Sequence, residues 1–162
     1  MVKLEHTPVN GKEDRSLLSA PMTALSEFYE ALNTRDMRKM ERNWARTDEA
    51  VMDNPLGGIT RGWEEIGAVY AKLFGGPGRY WFEFYDYSFH EAGEIFYVVG
   101  RERGEYGAGE TVLKMAIRTS RVFRLIEGEW KQVHHHGSID DPELLAAYRQ
   151  AVTRMYAEPR TQ

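Results

Sequence analysis

From Pro21 to Leu32 the apolar positions Met22, Leu25, Phe28, Tyr29 and Leu32 recur at helical spacing, predicting a helix with one buried face and Ser19 as its cap. A second, shorter helix is predicted after Asn33-Thr34, with Asp36 near its start and Met37, Met40 and Trp44 on one stripe. Glu49 to Asn54 reads as a short strand stopped by Pro55 and Gly57-Gly58. A third helix follows from about Trp63 to Phe74, carrying Ile66, Val69, Tyr70, Leu73 and Phe74 on one side.

Beyond Gly75-Gly-Pro-Gly78 the period changes to two. Tyr80 to Phe89, Ile95 to Glu105, Thr111 to Ile126 and Glu129 to Ser138 read as four long strands, separated by short breaks that contain glycine. An antiparallel meander is expected. Asp140-Asp141-Pro142-Glu143 then opens a last helix with Leu144, Leu145, Tyr148, Val152 and Met155 on its buried side. This order implies an α+β fold in which a strongly curved antiparallel sheet forms a cone closed by the N-terminal helices. The expected division is a flexible tail over 1–18, a cone domain over 19–140, and a C-terminal helix and tail over 141–162.

Composition narrows the function classes. The 162 residues are 42% hydrophobic and 12% aromatic, enough for one domain with a substantial core. Net charge is −4, from 21 basic and 25 acidic residues with no basic run, which argues against a nucleic-acid surface and gives no membrane address. The polar stretch Met1 to Arg15 lacks the apolar segment of a secretory signal, no apolar run is long enough to cross a bilayer, and cysteine is absent. A reducing cytoplasm is the expected setting, and any metal would have to be held by histidine and carboxylates.

The most informative stretch is Trp130-Lys-Gln-Val-His-His-His-Gly-Ser138, which ends a strand with three imidazoles. Strand alternation places His134 and His136 on one face and Val133, His135 and Gly137 on the other. A histidine lining a pocket could act as acid or base near neutral pH. His134 and His136, spaced i, i+2, could present two nitrogens to zinc, but no third ligand is evident from spacing, and no metal or other cofactor is expected. The loop Gly75-Gly-Pro-Gly78 lacks a following Lys-Ser or Lys-Thr and is no phosphate loop. Gly104 to Gly109 reads as a hairpin tip.

Two segments resemble a known superfamily. Ala31-Leu-Asn-Thr-Arg-Asp36 through Trp44, with Ala50-Val-Met-Asp-Asn54-Pro55-Leu-Gly57 and Arg61-Gly62-Trp63, resembles the opening of nuclear-transport-factor-two-like proteins. Ser120 to Ser138 is similar to the closing hairpin of the SnoaL-like and calcium/calmodulin kinase association-domain branches. The resemblance implies a cystatin-like α+β roll whose pocket is lined from the concave face, and homodimers paired through the convex face. It also argues against ketosteroid isomerase chemistry. Asn54 stands where that branch carries its proton-shuttling aspartate, and Phe28 and Thr119 stand where it carries an enolate-binding tyrosine and acid.

Carried onto the closing hairpin, this parity turns Thr119, Arg121 and Phe123 inward beside His135. In the kinase association-domain branch an arginine equivalent to Arg121 sits in the pocket, which would favour an anionic ligand. Alternatively, Arg121 pairs with an internal acid such as Glu102 and His135 completes a polar core network. Asn54 is expected at the pocket mouth, with Asp53 facing away towards the loop after Gly58. Phe28, Tyr29, Trp44 and Tyr70 are the aromatic candidates for ligand contact.

The function expected is binding of a small, mainly apolar molecule bearing an acidic or carbonyl group, oriented by Asn54, Arg121 and His135. An enzymatic version would be a cofactor-independent isomerase, cyclase, lyase or hydrolase with His135 as proton carrier. The alternative is a non-catalytic association module whose convex face drives oligomerisation, the last helix reaching a neighbouring subunit.

Overall fold

The computed structural model describes residues 3–5 and 7–157. In chain order the elements are β1 (Lys3–Glu5), a short 3-10 turn (Arg15–Leu17), α1 (Ala20–Thr34), α2 (Met37–Asn43), β2 (Val51–Asp53), β3 (Thr60–Arg61), α3 (Trp63–Gly75), β4 (Arg79–Ala92), β5 (Ile95–Ala108), β6 (Thr111–Ile126), β7 (Glu129–Ser138) and α4 (Pro142–Ala157). The mixed α+β class agrees with the sequence expectation. Ser19 accepts from the Met22 amide and Asp36 from the Lys39 amide, so both caps work through the side-chain oxygens expected of them.

The seven strands form one sheet in the order β1-β4-β5-β6-β7-β2-β3. β4 to β7 make the antiparallel meander, but β2 lies parallel to β7, with Val51, Met52 and Asp53 opposite His134, His135 and His136. The meander of the four long strands is as expected, and the short parallel strand β2 extends it at one edge. β2 enters the sheet only after α1 and α2, so it can approach the far edge from either direction.

Curvature comes from local irregularities. The β4–β5 register shifts between Tyr85 and Ser88, where Asp86 adopts φ 47°. On β5, two glycines permit the close crossing of β4: a Cβ at Gly100 would lie 2.5 Å from the Cβ of Tyr87, and one at Gly104 would lie 1.8 Å from the Trp81 carbonyl oxygen. Gly104 is therefore a bend inside a strand. The hairpin turn itself falls at Gly109-Glu110.

The concave face packs on α1 around Leu25, Phe28, Tyr29, Phe84, Phe96 and Phe123, all fully buried. Of the flexible tail expected over 1–18, residues 1, 2 and 6 lie outside the described residues, while Lys3–Glu5 and Val9 to Glu13 contact this body. β1 pairs with β4, and Val9 is buried, exchanging 2.8 Å backbone hydrogen bonds in both directions with Phe84. Glu13 holds the turn by accepting from the Gly11 amide and the Ser26 hydroxyl. Among the described residues no helix is long and apolar enough to cross a membrane.

Candidate functional site

Between the concave sheet, α1, α3 and α4 lies a chamber of about 300 Å³. Its apolar walls include Leu32 from α1, Met52 from β2, Leu56 from the following loop, Val69 and Leu73 from α3, Phe82 from β4 and Ile117 from β6. Tyr70, Tyr106, Tyr148 and Tyr156 add phenol rings, while Asn54, Glu102, Arg121 and His135 supply the inner polar groups and the exposed Lys72 a further cation. An apolar enclosure with a few convergent polar atoms is the usual form of a small-molecule site.

Arg121 and Glu102 form the centre of the polar floor. Arg121 Nη2 donates to Glu102 Oε1 at 2.7 Å, Nη1 donates to Gln132 Oε1 at 2.7 Å, and Nε donates to the Tyr29 hydroxyl at 3.4 Å. Tyr29 donates to the same Glu102 oxygen at 2.7 Å, and Gln132 donates to Asn43 Oδ1 at 3.2 Å. The guanidinium lies over the Phe28 ring at 3.6 Å. Burial opposes the charge on Arg121, but Tyr29 and Glu102 outweigh it and hold its pKa above the ordinary arginine value. The internal-acid alternative raised from the sequence is thus the arrangement found. Arg121 is already neutralised by Glu102.

His135 sits beside this pair. With its proton on Nδ1 it donates to the Ser120 carbonyl oxygen at 3.4 Å, leaving Nε2 as an acceptor. A Cβ at Gly137 would lie 3.3 Å from Nε2 and 3.2 Å from Pro55, so glycine keeps this side of the ring uncrowded. Burial first, and the neighbouring Arg121 second, push the imidazole well below its ordinary pKa. At neutral pH His135 is uncharged and can take a proton. Burial pushes the Tyr70 phenol up to about 12, so that group stays a hydrogen-bond donor.

The structure brings Phe28, Asn54, Tyr70, Arg121 and His135 together on the chamber wall. Asn54 lines the chamber, and its Oδ1 accepts from the Leu56 amide at 3.0 Å in a tight turn. Three further candidates lie elsewhere. Tyr29 is buried behind the wall, stacked on Phe84 at 5.9 Å, and Trp44 packs beside Tyr70 at 6.3 Å as core. Thr119 is buried between Ile117 and Arg121 on the same face of β6 but is too short to reach the wall, and its Oγ1 finds no hydrogen-bond partner among the described residues.

The histidine triplet divides as alternation requires. His134 Nδ1 contacts the Val51 carbonyl oxygen at 3.1 Å and His136 Nδ1 contacts Asp53 Oδ2 at 2.8 Å, both on the outer face. Asp53 therefore serves His136, where the loop after Gly58 was expected. Among the described residues no group of three or more His, Asp or Glu side chains is arranged to hold a metal.

Alternation misplaced one residue. Val122 pairs with His134 but Phe123 pairs with Gln132, so Val133 is the extra residue of a bulge. Gln132, expected outside, turns inward to hold Arg121. The walls from α4 were also missed as site residues, although their helical stripe was visible. Tyr148, Val152 and Tyr156 cover this chain's own chamber, where the sequence suggested a reach towards a neighbour.

The sequence profile of the SnoaL-like domain matches residues 22–142, most of the chain. The chain belongs to the SnoaL-like domain family. A provisionally named calcium/calmodulin-dependent protein kinase type II association domain from Thiobacillus denitrificans ATCC 25259 has a TM-score of 0.65 at 23% identity, covering 76% of this chain and 98% of that one. A provisionally named dehydratase of the nuclear-transport-factor-two-like family from Streptomyces avermitilis gives 0.67 at 21%, covering 74% and 92%. An uncharacterised cystatin-like protein from Caulobacter vibrioides gives 0.62 at 20%, covering 84% and 96%. At such identities the likeness establishes the fold alone. No curated protein resembles the sequence closely enough to count as a match.

Proposed function

We propose that the chamber binds a small, uncharged, mainly apolar molecule carrying a carbonyl or hydroxyl group. The observation that carries this reading is the neutrality of the polar floor: Arg121 is paired with Glu102 inside the wall, and His135 is held uncharged. An added carboxylate would enter a desolvated floor whose cation already has its counterion, and the other cation of the lining, Lys72, is exposed and lies over the Tyr156 ring, so the solvation cost at the floor is not offset there. The acidic ligand suggested by Arg121 in the sequence loses its support for that reason. A carbonyl oxygen, in contrast, would find donors in Tyr70, Asn54 and the remaining Arg121 N–H groups.

If the ligand is turned over, the same geometry supports cofactor-independent isomerase, cyclase, lyase or hydrolase chemistry. His135 Nε2 takes a proton from a hydroxyl or from the carbon beside the carbonyl, and the donors hold the charge that develops on oxygen. The proton returns from Nε2 to the product. Because the imidazole pKa is depressed, the acid limb of such an activity lies well below 6.5, and His135→Gln abolishes the activity.

A naphthalene ketone probe, 6-propionyl-2-dimethylaminonaphthalene, tests the binding reading by its fluorescence. Saturable binding is expected, weakened about five- to tenfold in Tyr70→Phe. The matching naphthoate should bind at least about tenfold more weakly than the ketone. The opposite preference would mean that Arg121 acts as an anion anchor after all.

The convex face supports a homodimer. Ile95, Tyr97 and Val99 form an exposed row on β5, and the adjacent cations are neutralised within the chain, Arg101 by Asp86, Arg103 by Glu83 and Arg118 by Asp140. Two copies could therefore approach without like-charge repulsion. Tyr97→Glu should convert the sedimenting species to monomer.

A further inference from the structure

We infer that α4 is a lid that sets the size limit of the ligand and opens to admit it. The inference rests on the chamber being the binding site. The SnoaL-like match ends at residue 142, where α4 begins, so the roof lies outside the matched domain. Tyr148, Val152 and Tyr156 project from it into the chamber wall. They cover one side of a half-open pocket of about 300 Å³, at the small end of ligand pockets.

The attachment of α4 differs in kind from that of α1. α1 buries eight residues, while the sixteen residues of α4 bury only Ala151. Leu144, Leu145, Tyr148, Val152 and Met155 pack on the core only partly buried, and the rest of the attachment is a set of rim contacts: the Tyr148 ring edge-on to Tyr106 at 5.2 Å, the Tyr106 hydroxyl donating to Met155 Sδ at 3.4 Å, and Tyr156 over Lys72. In the last of these, the Lys72 ammonium lies 4.2 Å from the ring centre and the Tyr156 hydroxyl donates to the Lys72 carbonyl oxygen at 3.3 Å. Ring edges, thioether contacts and exposed cation–π pairs are individually weak and separate without breaking the core. Few buried apolar contacts mark an element that opens below the global unfolding free energy.

Two measurements on the full chain test this. Hydrogen exchange should show the amides of 142–157 exchanging at least a hundredfold faster than those of β6, and slowing when the propionyl ketone probe is added. The second compares that probe with its dodecanoyl homologue, which has the same naphthalene ketone and a longer chain. The parent protein should favour the short probe at least tenfold, and Tyr148→Ala/Tyr156→Ala should erase the preference while releasing the short probe faster. Exchange of α4 only at the rate of β6, or an unchanged preference in the variant, overturns the lid. Failure of the short probe to bind the parent would sink the binding reading instead, and exchange in the free protein would still decide whether α4 opens.

Discussion

His135 and His136 are neighbours in sequence and occupy opposite faces of one strand. His135 faces a buried cation and a carbonyl oxygen, and burial keeps it uncharged. His136 is half exposed and rests on the carboxylate of Asp53, which faces it from the parallel strand β2. Identical imidazoles thus acquire different chemistry from backbone alternation alone, since one step along β7 exchanges a low-polarity chamber for solvent and a counterion. The same contrast extends to the ion pairs. The inner pair of Arg121 and Glu102 is fixed in a hydrogen-bonded lattice with Tyr29 and Gln132, while the outer contact has water as a competitor.

The contrast is tested most severely by removing half of the inner pair. Arg121→Met leaves Glu102 buried without its cation, and stability should fall by about 3–5 kcal/mol in denaturant unfolding. Glu102→Gln should cost a similar amount, stranding the guanidinium. The double variant Arg121→Met/Glu102→Leu should recover most of the loss, because the penalty is the uncompensated charge. A double variant as unstable as the singles would place the cost in packing against Phe28.

Acid titration tests the inner histidine next. The unfolded chain takes up a proton on His135 near the ordinary 6.5, whereas the folded chain refuses it until well below that value. The contribution to stability is therefore complete above 6.5 and is lost as pH falls towards the folded pKa. Thermal melts should show this decline set in as pH falls below 6.5. His135→Gln should flatten that limb. An unchanged limb in His135→Gln would show that the chamber does not desolvate its imidazole.

Much of this division was legible in the sequence. The four long strands, the four helices and the curved sheet followed from the order and periodicity of the elements, alternation set His135 apart from its two neighbours, and the resemblance supplied its inward direction. The residues that broke the pattern carry no local signal. Val133 is an ordinary β-branched strand residue, yet it forms the bulge that turns Gln132 inward, because only the pairing with β6 defines the register. Gly104 looked like a turn, although its glycine serves the close passage of β4. Val9 was lost in a polar stretch, its partner Phe84 lying far along the chain. The pairing of Arg121 with Glu102 could be raised as an alternative but not decided, since charge pairing depends on which face β5 presents.

A smaller effect is expected at Gly137, between the two faces. Gly137→Ala would place a methyl 3.2 Å from Pro55 and 3.3 Å from His135 Nε2, so the ring or the loop must yield by a few tenths of an ångström. A loss of about 1 kcal/mol, at the low end for overpacking, should accompany weaker binding of the ketone probe. Unchanged binding would mean that Nε2 does not face the ligand.

The least effect belongs to the outer face. Asp53→Asn removes the carboxylate from His136 but keeps an amide oxygen at the same place, able to accept from Nδ1. Solvent screens the charge that is lost, so the change in stability should stay within about 1 kcal/mol. That comparison is informative because Asp53 and Glu102 each meet a basic side chain across one sheet, differing chiefly in depth. Raising the salt concentration should shrink the Asp53→Asn effect further and leave the Arg121→Met effect nearly intact, since mobile ions reach only the exposed pair. If added salt instead weakened the inner pair as well, water would have to penetrate the chamber floor, and the neutral, desolvated site on which ligand selection depends would not exist.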